Sequence, residues 1–329
     1  MSLIDNLKDE CKKEKKKIIL TEGNSEEVLL AAKYILEENL ADLLILGDKE
    51  SAISKYEILS KAEWINPKTY DLTKEYIVKL YELRKDRGMT LEEATNLILE
   101  DPMYFACMLV LDNKADGIVS GKTTTSKATL LPALKLIKGK ERLVSSFFII
   151  ESPNEKLGNN GILIFADCAL NQEPTSEELA IIGTQSINSY KELIGDNPKV
   201  AYLSHSTYGS SEHKMVDKVR NATHLARELN EDILIDGEMQ LDSAIIPEVA
   251  SIKCPESPIK GEANILIFPN IDSGNIGYKL VERFGNSKAY GPLTQGLKYA
   301  VNDLSRGSSV EDIIGVIVIT ALQARKNVL

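Results

Sequence analysis

Short apolar runs alternate with longer amphipathic stretches along this chain, and that alternation is the tightest constraint on its fold. Apolar runs at 18–21 and 43–46 precede helical patterns at 26–38 and 51–59. Strands that alternate with helices pair in parallel, because each helix supplies the crossover that a parallel pair requires. Helical periodicity returns at 72–84 and 91–111, the latter interrupted at Asp101-Pro102, where proline removes a helical N–H. A strand pattern follows at 117–120. After Gly139 a second series begins, with strand patterns at 145–150, 161–165, 199–204, 233–235 and 264–268, and helical patterns at 176–190, 212–229 and 275–283. Gly158-Asn-Asn-Gly161 has the composition of a hairpin turn. Periodicity leaves open which sheet the last helical pattern, 309–325, covers.

At 329 residues the chain exceeds what one core readily fills, so two α/β domains with a cleft are expected, the first ending near residue 142. Its 43% hydrophobic and 27% charged residues are an ordinary globular composition, and no apolar run approaches the roughly 20 residues of a membrane span. No membrane association is expected. A net charge of −10 on mixed-sign helices argues against nucleic acid as a partner. The lysine-rich 12–17 stretch lacks the apolar core of a secretory signal, so it is expected to be a solvated helix face on a cytoplasmic protein. Cys11, Cys107, Cys168 and Cys254 are expected as buried, reduced thiols, since they lack metal-type spacing. His205, His213 and His224 show no ligand pattern either, and no metal site is expected; Asp236, Glu238, Asp242 and Asp272 are the acids that would carry a metal reading.

Two stretches carry chemistry. The chain has neither a Walker A loop nor a strand-linked Gly-x-Gly-x-x-Gly, so the usual cradles for nucleotide phosphates are missing. In their place, Ser120-Gly-Lys-Thr-Thr-Thr-Ser126 follows a strand pattern and precedes a helical one at 128–136, setting hydroxyl and backbone donors at a helix entrance. Such a stretch either caps its helix or holds a phosphate, and its residues alone do not choose. Near the C-terminus, Ser308-Ser-Val-Glu311 has the spacing of a capping box ahead of an apolar run, so the positive end of that helix points back toward Ser305 and Arg306. An anion, most naturally a phosphate, suits that corner. Asp312 lies in the same first turn, where an acid is favourable whatever else it does.

The words around these corners resemble the phosphate acetyltransferase (phosphotransacetylase) family. Asn302-Asp-Leu-Ser-Arg-Gly, Asp236-Gly-Glu-Met-Gln-Leu-Asp and Phe268-Pro-Asn-Ile-Asp-Ser-Gly-Asn-Ile-Gly-Tyr-Lys279 carry the resemblance. Further matches at Val119-Ser-Gly121, Phe165-Ala-Asp-Cys168, Leu203-Ser-His-Ser-Thr207 and Gly291-Pro-Leu-Thr-Gln-Gly296 extend it over essentially the whole length. The resemblance implies two three-layer α/β domains with a cleft between them, similar to isocitrate and isopropylmalate dehydrogenases. Residues 1–142 and a returning segment 294–329 would form one domain, and 143–293 the other. It also implies a homodimer that moves an acetyl group reversibly between coenzyme A and inorganic phosphate, with acetyl-CoA, phosphate and acetyl phosphate as substrates and no permanently bound cofactor.

Residue by residue, the resemblance implies that Ser120, Gly121, Thr125 and Ser126 contact the acyl phosphate. Asn275, Tyr278 and Lys279 would serve the same cleft from the second domain; without the family they describe only a capped amphipathic helix. Arg306 would hold the phosphoryl group, Ser305 would donate to the developing oxyanion, and Asp312 would take the thiol proton. Arg84, in Leu83-Arg-Lys-Asp-Arg87, matches an arginine associated with coenzyme A. The proton step is costly: with ordinary values of about 8.5 for a thiol and about 3.9 for Asp, it is uphill by roughly 6 kcal/mol. Transfer concerted with attack avoids forming free thiolate.

The chain also departs from the family. Leu131 stands where arginine is usual, Thr124 replaces a loop histidine, Tyr208 replaces a lysine, and Asn24-Ser-Glu-Glu27 carries acid where arginine is common. Losing a charge-assisted bond to phosphate costs about 1.5 to 3 kcal/mol. These changes leave room for a longer-chain phosphate acyltransferase (propionyl or butyryl) or a non-catalytic acyl-CoA or acetyl-phosphate sensor. A metal-dependent decarboxylating dehydrogenase rests on architecture alone.

Overall fold

A computed structural model describes residues 2–139 and 143–326 of the chain. Eleven strands run through them: β1 (Lys17–Leu20), β2 (Asp42–Leu46), β3 (Glu63–Ile65), β4 (Gly117–Ser120), β5 (Ser145–Glu151), β6 (Ile162–Ala166), β7 (Lys199–Leu203), β8 (Leu234–Met239), β9 (Ile265–Ile267), β10 (Lys288–Gln295) and β11 (Ala300–Asp303). They form two sheets in two units, Met1–Glu141 with Leu297–Leu329, and Arg142–Gly296.

The first unit holds a five-stranded sheet in the order β11-β4-β1-β2-β3, and every neighbouring pair is parallel. All β-strand carboxyl ends therefore open on one edge, where the loops of a parallel sheet gather. The helix Val310–Gln323 packs on β1, β4 and β11 and against the helices Leu3–Lys13 and Glu26–Glu37. Its residues 313–322 are all buried, as a helix enclosed between a sheet and other helices requires. Asn302 clamps β11 to it, donating to Thr320 Oγ1 at 2.8 Å and Gln323 Oε1 at 2.7 Å. The helices Leu91–Glu100 and Pro102–Leu111 are separate, as the proline demands, and Asp101 caps the second by accepting from Met103 N at 2.9 Å. The helical pattern at 51–59 is broken instead of continuous. A helix Lys49–Lys55 stops at Tyr56, whose backbone is extended, and a 3-10 turn Glu57–Lys61 follows. No single helix among the described residues is long and apolar enough to cross a membrane.

The second unit holds a six-stranded mixed sheet, β10-β5-β6-β9-β7-β8. β5 pairs antiparallel with β6 and β10, and the remaining pairs are parallel. The boundary expected at residue 142 lies outside the described residues. β10 continues to Gln295, past the expected 293, because its end pairs with Ser145 at the start of β5. The Gly158–Gly161 turn does join two antiparallel strands; Asn159 bridges Ile162, and Asn160 and Gly161 have φ of 52° and 87°. The helix expected at 275–283 starts earlier, at Ile271, because the Asn270 side chain caps it by accepting from Ser273 N at 3.0 Å.

Candidate functional site

Three strand ends of the first unit converge. β4 ends at Ser120 and β11 at Asp303, which are register partners, and β1 leads into Thr21 and Glu22. Ser120 is buried; its hydroxyl accepts from Thr21 Oγ1 at 2.6 Å and its carbonyl accepts Leu304 N at 2.7 Å. Gly121 follows with φ +108°, and a Cβ there would lie 2.1 Å from Asp303 Oδ1. Only glycine fits that turn against that neighbour.

Glu22 shapes the 120–126 loop. Its carboxylate accepts from Lys122 N (2.8 Å), Thr123 N (2.7 Å) and Thr123 Oγ1 (2.6 Å). Lys122 then ties this loop to the C-terminal corner: its Nζ donates to the carbonyls of Arg306 and Ser308, both at 3.0 Å, and sits 3.3 Å from a Glu27 oxygen. Thr125 caps the helix Ser126–Leu136, accepting from Ala128 N at 3.3 Å, while Ser126 is exposed at its first position. Thr124 Oγ1 lies 3.2 Å from Thr129 Oγ1, and Leu131 is exposed on the same helix.

At the C-terminal corner Ser305, Arg306 and Gly307 are exposed, and Ser305 Oγ accepts from Gly307 N at 3.2 Å. Among the described residues the Arg306 guanidinium has no hydrogen-bond or ion-pair partner, so its planar fork of donors is unspent. The capping box is one residue later than the 308–311 spacing implies. Ser309 is the cap and Asp312 its third-position acid: Asp312 Oδ2 accepts from Ser309 N (2.8 Å) and Ser309 Oγ (2.9 Å), and Asp312 N donates to Ser309 Oγ (3.2 Å). Both bonds fall on Oδ2, which leaves Oδ1 open.

Asp303 is the unusual group here. It is 1% exposed, and among the described residues neither carboxylate oxygen has a partner in hydrogen-bonding geometry, although the Ser126 and Thr129 hydroxyls are near enough to act on it. Burial pushes it up to about 6, with the Glu22 charge acting in the same direction and the nearby Ser126 and Thr129 hydroxyls against it. Sequence alone does not single out Glu22, Lys122 or Asp303. The signal that marks them is position: each lies at or just beyond the carboxyl end of a parallel strand.

Arg84 sits at the end of the helix Thr73–Arg84 and lines a cavity of about 410 Å³ with Arg87, Lys135 and Asn96. Two further cations, Arg87 and Lys135, line the same cavity as Arg84. In the second unit, Asn275, Tyr278 and Lys279 are grouped with one another on the helix Ile271–Phe284. Asn275 Nδ2 donates to the Cys168 carbonyl (3.1 Å), Lys279 Nζ donates to Asn275 Oδ1 (2.8 Å), and Tyr278 stacks on Phe148 with ring centroids 4.0 Å apart. Lys279 is the exposed member; Tyr278 is half-buried packing.

The acids that would carry a metal reading have other partners. Asp236 pairs with Arg227 and accepts from Tyr208 Oη (2.6 Å) and Ser257. Burial alone would raise Glu238, but Arg220, Gly209 N and Ser206 hold it below its ordinary value. Asp242 pairs with Lys253, and Asp272 is exposed. His205 and His213 bond to Ser211 Oγ and Met215 N. Among the described residues no three His, Cys, Asp or Glu side chains are arranged to hold a metal.

The family described as phosphate acetyl/butaryl transferase matches residues 2–321. A phosphate acetyltransferase from Thermoanaerobacterium thermosaccharolyticum is 49% identical over 99% of this chain and 100% of its own. A solved phosphotransacetylase from Streptococcus pyogenes is 40% identical, with a TM-score of 0.90 over 99% of this chain and 100% of that one. A 4-hydroxythreonine-4-phosphate dehydrogenase from Klebsiella pneumoniae, 11% identical over 94% of this chain and 99% of that one, has a TM-score of 0.53 and shares the fold alone.

Proposed function

The chain belongs to the phosphate acetyl/butaryl transferase family, and on that premise we infer that it is a phosphate acetyltransferase, moving an acetyl group reversibly between coenzyme A and inorganic phosphate. The observation that carries the chemistry is the tie from Lys122 to the carbonyls of Arg306 and Ser308, because it holds two anion-suited helix entrances beside each other. Arg306 grips the phosphoryl oxygens with its unspent fork, helped by the donors of Thr125 and Ser126 and by the backbone at Ser120 and Gly121. Ser305 donates to the oxyanion as the thiol sulfur attacks the acyl carbon. Asp312 takes the thiol proton on Oδ1 while its capping box holds Oδ2 still. The sulfur–carbon bond forms as the carbon–oxygen bond to phosphate breaks, so no covalent enzyme intermediate is needed.

Arg84, Arg87 and Lys135 make the first-unit cavity a place for the phosphates of coenzyme A. In the second unit Lys279 is the substrate contact, with Asn275 and Tyr278 fixing its direction. A homodimer is supported by Ile276, Leu280 and Phe284, which leave an apolar edge exposed on one helix; a solution mass near twice the 36.4 kDa chain tests it. A cytoplasmic setting is supported by four buried free thiols, the state that a reducing compartment maintains.

The test of the reaction is phosphate-dependent release of free thiol from acetyl-CoA, with a chelator present. Turnover supports the transferase; ligand binding with no turnover on acetyl-, propionyl- or butyryl-CoA points to a sensor.

A further inference from the structure

Asp303 has no role in the chemistry above, yet it is the one described carboxylate with both oxygens buried and unpartnered. Leaving a buried acceptor unsatisfied costs about 1 to 3 kcal/mol, so such a group calls for an explanation. Its surroundings supply one. Oδ1 lies against Gly121 in the proposed phosphate loop, and the hydroxyls that act on the carboxylate are those of Ser126 and Thr129, in the first turn of the helix Ser126–Leu136. The charge that bears on Asp303 is that of Glu22, which is negative. Lys122 in the neighbouring loop is spent on carbonyls and Glu27, and Lys127 and Arg306 are exposed. Asp312, on the last helix, is held by Ser309.

A hydroxyl has one hydrogen, and that limit makes the arrangement a switch. With Asp303 ionised, the Ser126 hydrogen is drawn toward the carboxylate, and lone pairs face an incoming phosphate oxygen. With Asp303 protonated, its own O–H can donate to Ser126 Oγ, and the Ser126 hydrogen is free for the phosphate. A phosphate dianion near a buried carboxylate also favours the protonated form, since two negative charges in a site of low dielectric repel strongly.

We propose that Asp303 is a positioning residue that takes up one proton from solvent when phosphate docks on Ser126, turning that hydroxyl from acceptor to donor. This rests on the transferase reading above. Burial has already moved Asp303 up to about 6, so the added charge of phosphate need move it only a little further to be protonated near neutrality.

The test is the pH dependence of sulfate inhibition and of the KM for phosphate, in the wild type and in Asp303→Asn. Sulfate keeps the same charge at every pH used, so it removes the ionisation of phosphate itself from the comparison. In the wild type the sulfate inhibition constant should weaken toward tenfold per pH unit on the alkaline side. In Asp303→Asn, which mimics the neutral acid, that slope should vanish, with kcat little changed and the KM for phosphate at alkaline pH no worse than the wild type's. Ser126→Ala, a change at an exposed position, should lessen the slope without abolishing it, since the repulsion between anion and carboxylate stays, and should raise the KM. Calorimetric proton uptake in two buffers should be larger for the wild type than for Asp303→Asn. Equal slopes and equal proton uptake in the two proteins, with phosphate binding intact, overturn the switch alone. Failure of the wild type to bind phosphate or sulfate overturns the switch and the transferase reading together.

Discussion

Lys122 Nζ donates to the Arg306 carbonyl at 3.0 Å across 184 residues of sequence, and a second bond of the same length reaches Ser308. Its side chain is 10% exposed, although the Arg306 carbonyl it reaches belongs to an exposed residue. Lys122→Met removes both donors while keeping the apolar stem. A charge-assisted bond is worth about 1.5 to 3 kcal/mol, and with one bond's worth of the loss reaching the phosphate site the KM for phosphate should rise by roughly ten- to a hundredfold. Steady-state kinetics with phosphate as the varied substrate checks this; an unchanged KM would mean that the corner stands without its tie.

Gly121→Ala should be disabling. The new methyl would sit 2.1 Å from Asp303 Oδ1 and 2.8 Å from Leu304 N and O, at a φ of +108° that an L side chain rarely adopts. A loss of several kcal/mol in stability is expected, of order 2 to 4, together with activity. Thermal unfolding would show it as a marked drop in midpoint.

Asp303 gives a pH dependence whose sign can be stated. Its folded value, about 6, lies above the ordinary 3.8, so its stabilising contribution is fully present below 3.8 and is lost as pH rises through about 6. At 1.36 kcal/mol per tenfold change in acidity, the charged form costs on the order of 3 kcal/mol at neutral pH. Asp303→Asn should therefore unfold at a higher temperature than the wild type at about pH 8, with the gap roughly halved near pH 5. A gap that stays constant between about pH 5 and 8 would mean that Asp303 is ionised in the folded and unfolded protein alike, with no raised folded value.

Asp312 combines two tasks that substitutions can separate. Ser309→Ala removes the cap and should cost about 1 kcal/mol of stability, with activity reduced mainly through disorder of the helix start. Asp312→Asn keeps an acceptor for Ser309 but no longer takes a proton, so kcat should fall by about 10²- to 10⁴-fold with a modest change in midpoint. If Asp312→Asn retains most of kcat, another group accepts the thiol proton.

The cavity lined by Arg84, Arg87 and Lys135 predicts a different pattern. Arg84→Ala and Arg87→Ala should each raise the KM for coenzyme A about tenfold while leaving the KM for phosphate unchanged. Varying the two substrates separately distinguishes this from a general loss of fold.

Much of the architecture is legible because it is local. The βα rhythm of residues 18–46 marks β1 and β2 and the helix between them, and Pro102 marks where two helices part. The capping box is also visible, but Ser308 and Ser309 both have an acid three residues on, and spacing alone does not say which pair closes; the backbone selects Ser309 with Asp312. β3 (Glu-Trp-Ile) and β11 (Ala-Val-Asn-Asp) carry polar residues in place of an unbroken apolar run, and they form because neighbours in the sheet supply their partners. The groups that organise the site escape sequence reading for a similar reason. Glu22 and Lys122 are single charged residues whose partners lie about a hundred or more positions away. Asp303 looks like one more acid in a polar stretch until its burial is seen.

The most direct measurement of the central claim is phosphate-dependent release of free thiol from acetyl-CoA by the wild type and by Arg306→Ala, with a chelator present. The exposed Arg306 guanidinium, unpartnered among the described residues, predicts robust turnover in the wild type and a loss of about a hundredfold or more in kcat/KM for phosphate in the variant. Equal turnover in the two proteins would contradict the account, because the phosphate would then be held elsewhere.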